Sequence, residues 1–133
     1  AERQSFAVGA ARRLDRIADA VTLFEDGDEV LPGIAALATF GHTPGHMAFE
    51  IAGGDGLIVL GDAVANHHVA FARPGWHTGN DQDPALAAET RLRLLDRLAT
   101  GKTAIAGFHL PNGGLGRVEA DSGGGYRFVP RDA

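Results

Sequence analysis

Phe6, Ala10, Leu14, Ile17 and Val21 recur at three- to four-residue spacing, with Arg12, Arg13, Asp15, Arg16 and Asp19 between them. That period predicts an amphipathic helix over 3–20. The pattern then changes to short apolar runs at 21–24, 34–39, 47–52, 57–60 and 103–107, which read as strands. Glu25-Asp26-Gly27-Asp28-Glu29 and Val30-Leu31-Pro32-Gly33 read as turns, and Gly53-Gly54-Asp55-Gly56 as the turn of a hairpin. A second helix is marked at both ends. Asp83 is its N-cap, Pro84 its first residue and Gly101 its stop. Ala88, Leu92, Leu95 and Ala99 form its apolar stripe, widened by Leu94 and Leu98. Between these elements, 63–79 is irregular, and 117–120 with 126–129 predicts a terminal hairpin.

This order predicts an α/β (α+β) architecture: one mixed sheet, two main helices and a terminal β-hairpin. The 133 residues make one domain, without repeat or linker. The runs at 57–60 and 103–107 are apolar without alternation, so they ask for burial on both faces. Two helices cover one face. The other requires a partner, either a complementary half-domain or a second copy of the chain.

Composition removes several chemistries. A net charge of −5 argues against nucleic-acid and anionic-membrane surfaces. No apolar run reaches the ~18 residues of a membrane helix. The absence of Cys excludes disulfides and thiolate ligands, and fits a cytoplasmic protein. Ser5 and Ser122 are the only serines, and neither sits in a G-x-S-x-G elbow. Lys102 is the only lysine, and Gly101-Lys102-Thr103 lacks the upstream Gly of a P-loop.

What remains is histidine and carboxylate chemistry. His42 and His46 lie four apart in Phe40-Gly41-His42-Thr43-Pro44-Gly45-His46, and Leu60-Gly61-Asp62 ends the run at 57–60. His42, Asp62 and His109 each lie just after a predicted strand. If those strands share a sheet and a direction, the three gather at one edge, where α/β folds collect ligands. Two imidazoles and a carboxylate suit zinc, and also manganese, iron or cobalt. Each residue alone also reads as a structural or capping group. His46 reads as a supporting residue that orients His42 or bonds backbone through the turn. His67, His68 and Trp76, in the 63–79 loop, are candidates for a pocket rim. The two histidines read equally as surface residues, and Trp76 as a closure of the core.

The run Leu37-Ala38-Thr39-Phe40-Gly41-His42-Thr43-Pro44-Gly45-His46 resembles the T-P-G-H-T-x-G-H motif of the metallo-β-lactamase fold, with Phe40 in place of Pro. Leu60-Gly61-Asp62 resembles its G-D motif and Gly107-Phe108-His109 its last G-x-H motif. The segment 81–116 is similar to the methyl parathion hydrolase and lactonase-like branch, which often has H-x-P-F-P where this chain has His109-Leu110-Pro111-Asn112-Gly113. The resemblance implies a two-metal hydrolase of small-molecule substrates. In it, His42 binds one metal, His109 the other, and Asp62 bridges both. A metal-held hydroxide attacks an ester, lactone, thioester or phosphoester. The H-x-H-x-D-H motif of the family's N-terminal half is absent from this sequence. The resemblance therefore covers the C-terminal half of an αββα sandwich over 1–133. The expectation is a truncated fragment that keeps three of seven ligands and is inactive or feeble alone. Two other expectations compete with it: a non-catalytic half-domain that pairs with a partner chain or itself, and a simple one-metal binding protein using His42, Asp62 and His109.

Overall fold

The structure, a computed structural model, describes residues 2–131. Helix α1 (Glu2–Ile17) runs into a 3-10 turn at Ala18–Ala20. Seven strands follow: β1 (Glu29–Leu31), β2 (Ile34–Ala38), β3 (Met47–Ile51), β4 (Leu57–Val59), β5 (Ala104–Ala106), β6 (Leu115–Ala120) and β7 (Tyr126–Pro130). One-turn helix α2 (Val69–Ala72) and long helix α3 (Pro84–Gly101) lie between β4 and β5. The strands form one sheet in sequence order, β1 to β7. All neighbours are antiparallel except β4 and β5, which are parallel. The α3 crossover makes that parallel pair possible, because parallel strands cannot be joined by a tight turn.

The predicted α/β class, mixed sheet, two main helices and terminal hairpin are all present. Three local expectations are corrected. Residues 21–24 form no strand. They pack irregularly, with the Phe24 ring 5.9 Å from that of Phe49 on β3. The strand missing there is β1, in the stretch read as turns. Gly27 bends the chain so that the Gly27 N–H reaches the Ala36 carbonyl and the Ala36 N–H reaches Asp28. Leu92 does not belong to the buried stripe of α3. That stripe runs through Ala87, Ala88, Arg91, Leu94, Leu95 and Leu98, while Leu92 is exposed.

The core lies between α3 and one face of the sheet. Ile58, Leu60, Ile105 and Val118 meet Leu94, Leu95 and Leu98 there, and Phe71 of α2 closes one end. The period-two alternation of the strands turns Leu57, Val59, Ala104 and Ala106 to the other face, where they are half-buried. Burial on both faces is thus not reached within the described residues. Nor does α1 cover the sheet, because Phe6, Leu14 and Ile17 on its apolar stripe are exposed. No helix among the described residues is long and apolar enough to cross a membrane.

Candidate functional site

Strand β2 is antiparallel to β3, β3 to β4, and β4 parallel to β5. Hence β2, β4 and β5 point the same way, and the residues after them emerge at one edge. His42, Asp62 and His109 come together there. Asp62 sits between the two imidazoles: His109 Nε2 is 2.9 Å from Oδ1, and His42 Nε2 is 3.8 Å from Oδ2. The His42 side chain is the more enclosed, at 21% exposure against 41% for Asp62 and 44% for His109. The cluster is open to solvent on the His109 side.

The His42 turn is fastened to α3. Asp83 is the N-cap, its side chain accepting from the Leu86 N–H at 3.1 Å, and Pro84 is the first helical residue. The backbone N–H groups of Gln82 and Asp83 donate to the carbonyls of His42 and Gly41. The buried Thr90 hydroxyl donates to the Phe40 carbonyl at 2.8 Å. Gly41 lies against the first turn of α3, where a Cβ would collide with the Ala87 backbone.

Both ring nitrogens of His46 are occupied. Nε2 accepts from the Asp62 backbone N–H at 3.0 Å, so Nδ1 carries the proton and donates to the Thr39 hydroxyl at 2.7 Å. Burial, then the nearby His42, pushes the His46 pKa down, against smaller opposing effects of Asp62, the Thr39 backbone and Asp81. Of the two supporting roles open to His46, the backbone bond is the one present. It holds Asp62 rather than its own turn, and the contact with His42 is edge-to-face at 5.8 Å. Gly61 makes room for it, at φ +54° with no side chain against the ring.

Three residues that sequence reasoning missed stand behind His42. The buried Asp81 carboxylate lies 3.1 Å from His42 Nδ1. Its other oxygen accepts from the Thr78 hydroxyl at 2.7 Å and from Arg91 at 2.9 Å. Arg91, also buried, donates further to the carbonyls of Pro74 and Trp76. Burial pushes the Asp81 carboxyl up. Hydrogen bonds from Thr78 and His42 and the charge of Arg91 outweigh it, and the carboxyl is held below its ordinary value. Asp81 is therefore ionised and only accepts, which puts the neutral His42 proton on Nδ1 and the lone pair on Nε2, toward Asp62. A signal for this was legible in α3, where Arg91 falls within the stripe of Ala87, Leu94 and Leu98. A cation at such a position requires a buried carboxylate.

His67 and His68 stack on one another, ring centroids 3.6 Å apart, in a loop whose Asn66 side chain accepts from the N–H groups of His68 and Val69. Neither bonds to His42, Asp62 or His109 among the described residues. Trp76 is exposed, so it does not close the core. A groove of about 640 Å³, lined by Phe24, Phe40, Pro44 and Met47 among others, borders the His42 turn. Another cavity, of about 650 Å³, includes Leu57, Ala104 and Leu115 on the half-buried face of the sheet, and none of the three clustered residues lines it.

The donor types fit a divalent cation. Two imidazoles and a carboxylate form a zinc-type set, and His42 has the carboxylate-backed Nδ1 common among metal-binding histidines. A lone pair on His42 Nε2 facing an Asp62 oxygen is also an arrangement that a cation between them would stabilise. The placement is not a finished cage. Among the described residues no three His, Asp or Glu side chains are set to hold a metal ion as they stand. His109 and Asp62 bond to each other instead.

Solved structures that superpose on this chain include metallo-β-lactamase-fold hydrolases. The hydrolase AbOPH of the beta-lactamase superfamily superposes with a TM-score of 0.82 at 30% identity, over 99% of this chain and 47% of its own. The chain carries part of the metallo-β-lactamase fold. AidC, a dizinc quorum-quenching lactonase, gives a TM-score of 0.82 at 25% identity, over 90% of this chain and 41% of its own. An N-acyl homoserine lactone hydrolase, solved with its product at the catalytic metal centre, gives 0.52 at 28% identity, over 63% and 33%. This chain thus spans less than half the length of each of these proteins. No protein-family model and no curated protein matches the sequence.

Proposed function

We propose that the chain is the C-terminal half of a metal-dependent hydrolase of this superfamily, with His42, Asp62 and His109 as its share of the metal ligands. The observation that carries the reading is the convergence of His42 and His109 on the Asp62 carboxylate, each of the three following a strand of the same direction. When bound, divalent cations in such a site lower the pKa of water toward about 7 and polarise the oxygen under attack. The chain's own residues supply the geometry. Asp62 offers two oxygens to two sides, which suits a bridging and catalytic carboxylate. His46 holds the Asp62 backbone, and His42 presents Nε2. Zinc is the proposed metal, supported by the donor set and by dizinc AidC. A small ester or lactone is the proposed substrate, supported by the lactone hydrolases among the neighbours, AidC and an N-acyl homoserine lactone hydrolase included. Thioesters and phosphoesters use the same chemistry. His67, His68 and Trp76 stay candidates for the rim.

Zinc affinity, read by chelator competition on the chain and on His42→Ala, Asp62→Ala and His109→Ala, tests the site. Each variant is expected to bind about tenfold more weakly or worse. Unchanged affinity in all three would sink the reading. The chain alone is expected to hydrolyse lactones feebly or not at all, and turnover typical of enzymes, about 1–1,000 per second, would reject the fragment part. A pairing reading is favoured by one observation, the half-buried apolar face carrying Leu57, Val59, Ala104 and Ala106. It would take a complementary half-domain or a second copy, and a monomer without dye-binding apolar surface would count against both.

A further inference from the structure

We propose that Asp81, locked by Arg91, is the positioning residue of this site: it sets the proton of His42 on Nδ1, aims Nε2 at Asp62, and ties that setting to the loop bearing Trp76. The inference rests on the metal-site reading, but its central claim concerns the imidazole of the chain itself. Five contacts carry it. His42 Nδ1 lies 3.1 Å from Asp81 Oδ1. Asp81 Oδ2 takes the Thr78 hydroxyl at 2.7 Å and an Arg91 N–H at 2.9 Å, so the carboxylate cannot rotate without losing both. The same guanidinium holds the carbonyls of Pro74 and Trp76, at 2.9 and 3.1 Å. Both side chains of the ion pair are only 4% exposed, so water offers little substitute.

Such a pair is a costly way to stabilise a fold. Burying two charges often gains nothing over a well-packed apolar pair. Arg91 Nε, moreover, is the one buried side-chain nitrogen or oxygen without a partner among the described residues. A pair serving only packing has no need to present a free oxygen to an exposed-edge imidazole. One serving His42 does, because the bond made by one ring nitrogen decides which nitrogen is left to ligate.

Asp81→Asn separates the roles. Arg91 offers only N–H donors, so the carbonyl oxygen of the new amide turns to Arg91 and its NH₂ faces His42. Nδ1 must then accept, the proton moves to Nε2, and the ligating lone pair is lost. Replacing Arg91 by Met as well frees the amide to turn over. With its oxygen toward His42 and its NH₂ toward Thr78, the Asp81→Asn/Arg91→Met variant can again hold the original tautomer, so Nδ1–H His42 should reappear in part.

The readout is the His42 tautomer, from long-range nitrogen–proton correlation spectra of the metal-free chain at about pH 8, above the ordinary histidine range. Zinc affinity by chelator competition runs beside it. Expected are an Nδ1–H His42 in the unaltered chain and an Nε2–H His42 in Asp81→Asn, with zinc binding weakened by about 10–100-fold. The double variant should restore both in part. An Nε2–H His42 in the unaltered chain overturns the proposal, and that spectrum needs no variant to fold. A folded Asp81→Asn that keeps the tautomer and affinity also overturns it. If His42→Ala leaves zinc affinity unchanged while the tautomer switches as expected, the metal reading fails and the positioning by Asp81 stands.

Discussion

Gly61→Ala isolates the link between His46 and Asp62, and a matched control lies in the same chain. Gly61 and Gly54 both have φ +54°. A Cβ on Gly54 meets nothing within 4 Å, whereas one on Gly61 would stand 2.7 Å from His46 Nε2 and 3.0 Å from Cε1. The backbone cost of placing alanine in the left-handed region, about 1–2 kcal/mol, falls on both variants. So does the gain from a stiffer unfolded chain, about 0.4–1 kcal/mol. Only Gly61→Ala must also push the imidazole away. That breaks the 3.0 Å bond from the Asp62 N–H and strains the 2.7 Å contact with the Thr39 hydroxyl. A net hydrogen bond contributes about 1 kcal/mol, and a donor left unsatisfied costs about 1–3 kcal/mol. The half-buried setting favours the lower end, so Gly61→Ala should lose about 1–2 kcal/mol more than Gly54→Ala. Urea unfolding of both variants measures the difference. Repeating it in a His46→Ala background should erase the excess, since no ring is left to displace. An excess below about 0.5 kcal/mol, the usual limit of additivity, or one that survives in the His46→Ala background, would refute the role given to His46.

Two further predictions concern the scaffold. Tyr126 is the single tyrosine, so ultraviolet absorbance of tyrosinate reads it alone. Burial, then the charge of Asp96 and the long 3.5 Å contact with it, push its phenol above the ordinary 10.0. The fold therefore favours the neutral phenol. The stability this contributes is complete below pH 10.0 and is lost as pH rises through the raised value. Asp96→Asn should bring the titration midpoint down, and an unmoved midpoint would count against the pairing. Removing the α3 cap with Asp83→Ala should cost about 1 kcal/mol in urea unfolding. The Asp83 N–H to Gly41 bond is backbone and survives, so the His42 turn should keep its nuclear magnetic resonance shifts.

Much of the fold is legible along the chain because its signals are local. Asp83-Pro84 and Gly101 bracket α3, and every strand except β1 follows an apolar run or a turn that needs no distant partner to be recognised. The misread stretch, 21–33, is the one where local chemistry was neutral. Charged residues around Gly27 look like a solvated turn, and only pairing with β2 turns Glu29–Leu31 into a strand. Leu92 was misread for a related reason: a helical stripe has a period but no absolute orientation until a sheet chooses its face.

The residues of the site divide in the same way. His42, Asp62 and His109 could be named from sequence because each is the first strong polar group after an apolar strand. Their meeting depends on strand direction, which the antiparallel β2–β3–β4 pairing and the parallel β4–β5 pairing supply. Asp81 could not be named, because it meets His42 across 39 residues through a loop with no periodicity. Arg91 left a trace as a charge in an apolar stripe, but its partner did not. The sequence alone determined which side chains can do chemistry and which segments are helix or strand, since those properties belong to residues and their near neighbours. The tertiary structure decided which nitrogen of His42 is presented, which bonds His46 makes and which face of the sheet is left half-covered. Those properties depend on contacts between segments far apart in the chain.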